Sequence, residues 1–246
     1  MRKAKYKKDT KNIALIIAGG VGNRMGQDIP KQFLNVYDKP VIVYTMECFQ
    51  KHPEIDGIVI VCIDGWHEMV NSYAKQFRIT KLDSIVSGGA TGFESIIKGT
   101  KEVERLYGGD ELILVHDAIR PNLSAEIISE NIKVCHEKGN AITCIPCNEA
   151  MLYTEDREMS RESINRDNLL RTQTPQTFFV KDIRKVQEEA LAKGMKNTTA
   201  SCTLFVEMGY PVYKANGSEK NVKLTTPDDI EIFKALLNSK KDEWLK

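Results

Sequence analysis

Two short stretches hold most of the chemistry that this 246-residue sequence offers. The first, "LIIAGGVGNRMGQDIPKQF", runs from Leu15 to Phe33 and ends an apolar run in Gly19, Gly20 and Gly22, with Arg24 and Lys31 following. Glycine permits a tight turn and a close backbone approach to a ligand. Successive amides in such a turn line a concavity that suits anions. With Arg24 and Lys31 adding positive charge, the stretch reads as a cradle for a polyphosphate. It is not G-x-x-x-x-G-K-[ST], which excludes a P-loop, and it fits G-x-G-x-x-G only loosely. Asp64, closing the next apolar run, keeps a dinucleotide reading open, and so does the plain alternative of a glycine turn beside surface cations.

The second stretch is "LVHDAIRP", with Asp117 just past an apolar run. A carboxylate facing a polyphosphate is unfavourable unless a divalent cation lies between them. Asp117 therefore reads as a ligand of Mg2+ or as an acceptor for a substrate hydroxyl. The competing reading is an aspartate that caps the next turn and pairs with Arg120.

These residues need a frame that brings them to one place. Apolar runs alternate with amphipathic ones: strands at "NIALIIA", "GIVIVCI", "DSIVSGG", "ELILVHD" and "NAITCIP", and helices at "PVIVYTMECFQKH", "WHEMVNSYAKQF", "GFESIIKGTKEVERLYG" and "SAEIISENIKVCHEKG". The spacing predicts Ser124 as N-cap of the last of these helices. Strands that are apolar throughout are buried on both faces, and regular βα alternation implies an α/β fold, Rossmann-like, with a mostly parallel sheet flanked by helices. Ligands gather beyond the carboxyl ends of such strands. That rim would hold the Leu15–Phe33 stretch, the "SGG" at 87–89 and "HDAIRP".

After Pro146 the rhythm breaks. The polar segment 147–177 predicts a β-hairpin-like arm protruding from one domain spanning 12–240. Regular structure returns with "VKDIRKVQEEALAKG", "TTASCTLFVEMG" and the short strand "YPVYKA". A last helix opens at "TTPDDIEIFKALL", with Thr226 as N-cap and Pro227 in its first turn. The basic residues 1–11 read as a solvated tail. Hydrophobic residues make up 41% and charged residues 28%, enough for a substantial core, and the net charge of +1 sets up no field for nucleic acid. No apolar run approaches the ~20 residues that cross a bilayer. Six cysteines, including the C-x-x-C of Cys144 and Cys147, read as reduced structural thiols rather than a zinc site, as in a cytoplasmic protein.

"AGGVGNRMGQDIPKQF", "SGG…S", "VHDAIRP", "RDNLLRTQTPQTF" and "NVKLTTPDDI" stand in the order and spacing of one cytidylyltransferase family. The chain resembles that family over residues 12–238; it contains 2-C-methyl-D-erythritol 4-phosphate cytidylyltransferase and ribitol 5-phosphate cytidylyltransferase. The resemblance implies that CTP and a polyol phosphate give a CDP-polyol and pyrophosphate, with Mg2+. It implies that Ala18, Gly19, Gly20 and Gly22 surround the CTP phosphates and that Arg24, Lys31 and Lys223 are the catalytic cations. Gly88, Gly89 and Ser95 match the segment that reads cytosine and ribose, and Asp117 matches the substrate and metal carboxylate. Thr174 and Thr199 match threonines of the acceptor pocket. Arg166 matches an arm arginine that reaches a partner subunit's substrate in a homodimer.

Three positions depart from the family's pattern. Gly92 stands where an arginine is usual, Ala150 where the methylerythritol enzymes have threonine, and Ala200 where an aspartate follows the threonine. Two of these remove polar groups from the expected acceptor pocket, which points to a polyol phosphate of cell-wall or capsule assembly such as ribitol 5-phosphate. The methylerythritol reaction, a nucleotidyltransferase for another base, and a catalytically silent nucleotide-binding relative are the alternatives.

Overall fold

The computed structural model describes residues 10–20 and 29–242. Gly22, Arg24 and most of the basic tail therefore lie outside the described residues. The chain runs through β1 (Asn12–Ala18), a 3-10 turn at Lys31–Phe33, the small hairpin β2 (Asn35–Val36) and β3 (Lys39–Pro40), and α1 (Val41–Lys51). It continues with β4 (Gly57–Cys62), α2 (His67–Gln76), β5 (Leu82–Ser87), α3 (Gly92–Tyr107), β6 (Leu112–Asp117), α4 (Ala125–Lys138) and β7 (Asn140–Pro146). The last third holds β8 (Met151–Tyr153), β9 (Glu162–Ile164), β10 (Leu170–Phe179), α5 (Val180–Ala192), α6 (Ser201–Glu207), β11 (Lys214–Asn216) and α7 (Pro227–Asp242).

Seven strands form one sheet in the order β11-β7-β10-β6-β1-β4-β5. Strands β6, β1, β4 and β5 pair in parallel, as do β7 and β11, while β10 runs antiparallel between β6 and β7. The continuous apolar runs are buried on both sides, as their composition requires. One face packs Ala14, Ile16, Ile58 and Ile60 against Met46 and Phe49 of α1, Val70 of α2 and Ile128 of α4. The other packs Leu15, Val59 and Val61 against Phe93 and Ile97 of α3, Ile183 of α5 and Phe205 of α6.

Strand β10 is where pattern reading falls short. The polar segment 147–177 was expected to protrude, yet its part from Leu170 onward enters the middle of the sheet. Hydrogen bonding replaces apolar packing there. Gln176 accepts from the Cys202 amide (2.9 Å), and Thr177 donates to Asn131, which donates in turn to Thr143 (2.8 Å). Buried polar side chains with full sets of partners are tolerated in a core, but they erase the apolar periodicity that marks a strand. The protruding part is shorter: β8 and β9 form a separate two-stranded hairpin. Its Met151, Leu152 and Tyr153 are exposed.

Helix starts also differ in detail. Ser124 occupies the N-cap of α4 without a side-chain cap bond. At α7 it is Asp229, three residues on, whose carboxylate accepts from the amides of Thr225 and Thr226 and from the Thr226 hydroxyl. A third small cluster of Val36, Val41, Ile119, Leu224 and Phe233 clamps this region to the start of α1.

Candidate active site

The carboxyl ends of β1, β4, β5 and β6 meet on one rim, and the glycines there make the close approach possible. A Cβ added at Gly19 would sit 3.3 Å from Ser95 Oγ, and one at Gly88 would sit 3.3 Å from the same atom and 3.5 Å from the Gly19 Cα. The two glycine segments therefore lie back to back, with Ser95 between them and its Oγ accepting from the Gly89 amide at 3.0 Å. Gln32, buried in the 3-10 turn, ties the first segment down by donating to the carbonyls of Ala18 (2.9 Å) and Gly20 (3.0 Å).

The Gly88–Thr91 loop keeps its shape without an arginine at position 92. Thr91 caps α3 by accepting from the Glu94 amide (3.1 Å), while the Glu94 carboxylate accepts from the Ala90 amide (2.8 Å). Lys98 donates to the Gly88 carbonyl at 2.7 Å. This reciprocal capping and the lysine bridge fix the loop, and a Cβ at Gly92 would meet nothing within 4 Å.

Two cavities open along this rim. One, of about 400 Å³, is lined by Ala18, Gly19, Gly20, Lys31, Gln32, Gly89, Ser95 and their neighbours. The second, of about 340 Å³, is lined by His116, Arg120, Gln173, Thr174, Thr199 and Ala200 among others. Ile17, Gly92, Asp117 and Lys223 belong to both, so the cavities adjoin at one carboxylate and one ammonium group.

Asp117 ends β6 with its Oδ2 3.1 Å from Arg120 Nε and 3.2 Å from Lys223 Nζ. The pairing with Arg120 expected from the competing sequence reading is thus present, together with Lys223. Arg120 is the anchored partner: it is buried, and its Nη1 donates to the Asn221 carbonyl at 2.7 Å. Lys223 is half exposed and owes its position to Leu224, which is buried and donates its amide to the Ile119 carbonyl at 2.9 Å. Burial by itself raises the Asp117 pKa, but Lys223 and then Arg120 outweigh it and hold the carboxyl below its usual range.

The remaining expected residues divide cleanly. Thr174, Thr199 and Ala200 line the second cavity. Ala150 is exposed on the approach to the hairpin and is absent from the lining of either cavity. Arg166 sits in an exposed 3-10 turn at the base of the hairpin, donates to the Asn148 carbonyl and is absent from the lining of both cavities of its own chain. Sequence reading missed Gln32, His116, Gln173 and Asn221. Gln173 Nε2 donates to the Ser218 carbonyl (2.9 Å) and Asn221 Nδ2 to the Thr174 carbonyl (2.8 Å), so together they stitch the Lys223 loop to β10. Single amides scattered along the chain carry no periodic signal that could have flagged them.

The sheet order, the glycine-lined rim and the paired cavities define the class: a nucleotidyltransferase-type α/β fold. Solved structures share it. The 4-diphosphocytidyl-2C-methyl-D-erythritol synthase of Anaerococcus prevotii DSM 20548 superposes with a TM-score of 0.80 at 24% identity, covering 93% of this chain and 96% of that one. Residues 12–239 match the family model of 2-C-methyl-D-erythritol 4-phosphate cytidylyltransferase, and the chain belongs to that family. It is 39% identical over 229 residues to a ribitol-5-phosphate cytidylyltransferase of Lacticaseibacillus paracasei, covering 92% of this chain and 98% of the relative. It is 35% identical over 222 residues to a 2-C-methyl-D-erythritol 4-phosphate cytidylyltransferase of Clostridium tetani, covering 90% and 88%.

Proposed function

We propose that the chain transfers CMP from CTP to ribitol 5-phosphate or a closely similar polyol phosphate, releasing pyrophosphate. The carrying observation is that the two cavities adjoin at Asp117 and Lys223. In this reading CTP occupies the glycine-lined cavity and the polyol phosphate the threonine-lined one, so that the two phosphates meet at that junction. An oxygen of the acceptor phosphate attacks the α-phosphorus in line. The new P–O bond forms as the bond to the β-phosphate breaks, and pyrophosphate leaves with the electron pair. A phosphate monoester is already anionic near neutral pH, so no strong base is required.

The protein's part is positioning and charge neutralisation. Lys31 lines the nucleotide cavity, and Lys223 stands between both cavities. Arg24 and Gly22, outside the described residues, complete the phosphate loop in this reading. Gly89 and Ser95 line that cavity and face the base and ribose in this reading, while Gly88, bonded to Cys62 and Lys98, supports the loop. Among the described residues no group of three His, Cys, Asp or Glu side chains could hold a metal ion. The single ionised carboxylate of Asp117 does suit Mg2+, which takes one or two carboxylates and completes its shell with substrate phosphates and water. Bound there, Mg2+ would neutralise charge on the triphosphate.

Ribitol 5-phosphate is favoured over the methylerythritol acceptor by the higher identity to a ribitol-5-phosphate cytidylyltransferase, 39% against 35%. The exposed Met151, Leu152 and Tyr153 of the hairpin support its role as a dimerisation arm, with Arg166 serving the partner's acceptor site. No helix of the described residues is long and apolar enough to cross a membrane, and a cytoplasmic location fits the proposed substrates.

The test is pyrophosphate release with CTP, Mg2+ and each acceptor in turn. Ribitol 5-phosphate should exceed 2-C-methyl-D-erythritol 4-phosphate in kcat/KM by about 100-fold or more. The reverse order would assign the isoprenoid reaction instead. CTP binding without turnover of any acceptor would make the chain a silent relative.

A further inference from the structure

His116 precedes Asp117 at the end of β6 and is wholly buried, with both ring nitrogens engaged. Nε2 lies 3.1 Å from the Arg120 carbonyl oxygen, and Nδ1 lies 3.0 Å from Thr174 Oγ1. A carbonyl oxygen can only accept, so Nε2 carries the proton. In the neutral ring Nδ1 is then an acceptor, and the Thr174 hydroxyl must donate to it. The same hydroxyl oxygen accepts from the Asp117 amide at 3.1 Å. A hydroxyl has one proton and two lone pairs. The proton and one lone pair are thereby committed, and what Thr174 can offer the acceptor cavity is a lone pair.

We infer that His116 is a positioning residue that fixes Thr174 as a hydrogen-bond acceptor, so that the acceptor cavity selects a substrate group that donates there. Resting on the proposed reaction, this assigns the substrate class more narrowly: a polyol phosphate with a free hydroxyl against Thr174. A carbonyl, an ether or a phosphate oxygen at that place would face a lone pair and be rejected. The anchor is remote from solvent, since Arg120 is itself held by the Asn221 carbonyl and by Asp117.

The test uses the full chain, CTP, Mg2+, ribitol 5-phosphate and its monodeoxy analogues. Turnover of ribitol 5-phosphate by the unmodified protein is the control for the reaction; its failure contradicts the proposed function and leaves the histidine geometry to be judged by spectroscopy. One monodeoxy analogue should lose about tenfold or more in kcat/KM, with KM for CTP unchanged. H116N, whose amide oxygen reproduces the Nδ1 acceptor, should keep that discrimination within about threefold. H116Q, which reproduces the Nε2 donor toward Arg120 but offers Thr174 no acceptor, should erase it. Equal loss of discrimination in both variants, or a parallel loss of CTP affinity and melting temperature, would overturn the inference in favour of a purely structural histidine. Long-range 1H–15N spectra of the unmodified protein decide independently of any variant: an Nε2-protonated His116 is expected, and an Nδ1-protonated ring would overturn the assignment.

Discussion

Lys223 Nζ lies 3.2 Å from Asp117 Oδ2, joining the loop before α7 to the end of β6 where the two cavities meet. The lysine of this pair is half exposed, which screens its attraction for Asp117, so the pair is better understood through what it faces. Lys223 is half exposed, and a triphosphate entering the site would compete with Asp117 for it.

The first prediction follows from that competition. K223M should lower kcat about 100- to 1,000-fold, by analogy with the loss of one preorganised donor to a developing charge. Its melting temperature should move little, because buried Arg120 still pairs with Asp117 and the lysine removed is half exposed. D117N should lower kcat similarly and should weaken the dependence of turnover on Mg2+ concentration. Steady-state pyrophosphate release at several Mg2+ concentrations measures both. A K223M rate within about threefold of the parent would remove Lys223 from the machinery.

Gln32 makes a different prediction, because it touches the loop rather than the ligand. Q32L would remove the amide shared by the carbonyls of Ala18, which keeps the Ile63 amide, and of exposed Gly20. Stability should fall by about 1–3 kcal/mol in urea unfolding. CTP affinity, read by calorimetry, should weaken about tenfold or more as the loop loses its anchor. Unchanged CTP affinity would mean that the loop's shape does not depend on Gln32.

How much of this was legible beforehand depends on what each residue does. The glycines, Lys31 and Asp117 could be found because they interrupt apolar runs with residue types that seldom follow a buried strand without cause. The parallel half of the sheet was equally legible, since β1, β4 and β6 are apolar on both faces. Strand β10 was not, because Gln173, Gln176 and Thr177 are buried through hydrogen bonds that only tertiary structure supplies. Gln32, His116 and Asn221 were invisible for the same reason. The hydrogen bonds of Thr91, Glu94 and Lys98 that hold the loop before Gly92 were equally invisible, because they join residues across the loop.

A pH prediction rests on His116, which is held neutral by burial with its pKa pushed down to about 4. In the unfolded chain it takes a proton near pH 6.5. Between about pH 6.5 and 4 the unfolded state therefore binds the extra proton, and stability must fall as pH falls through that window. The full loss is on the order of 3 kcal/mol. Urea unfolding from pH 8 to 4 should show this decline, and H116N should flatten it. A decline of the same size in H116N would assign it to other groups.

The arm proposal has a test that needs no structure of the dimer. R166A and K31M chains, each inactive alone, should regain activity when mixed and allowed to exchange subunits. In a mixed dimer one site keeps its own Lys31 and receives an intact Arg166 from its partner, so a 1:1 mixture should recover about a quarter of the parent activity. No recovery, with sizing showing that dimers exchange, would place Arg166 in the service of its own chain.

The central claim is that Lys31 and the glycine loop hold a triphosphate so that its α-phosphorus can be attacked. Lys31 lines the glycine-rimmed cavity beside Gly19 and Gly20, so single-turnover pyrophosphate release by K31M, at saturating CTP and ribitol 5-phosphate, reads that claim most directly. The account predicts a rate lower by about 100- to 1,000-fold in a protein that still folds and dimerises. A K31M rate equal to that of the parent would contradict it.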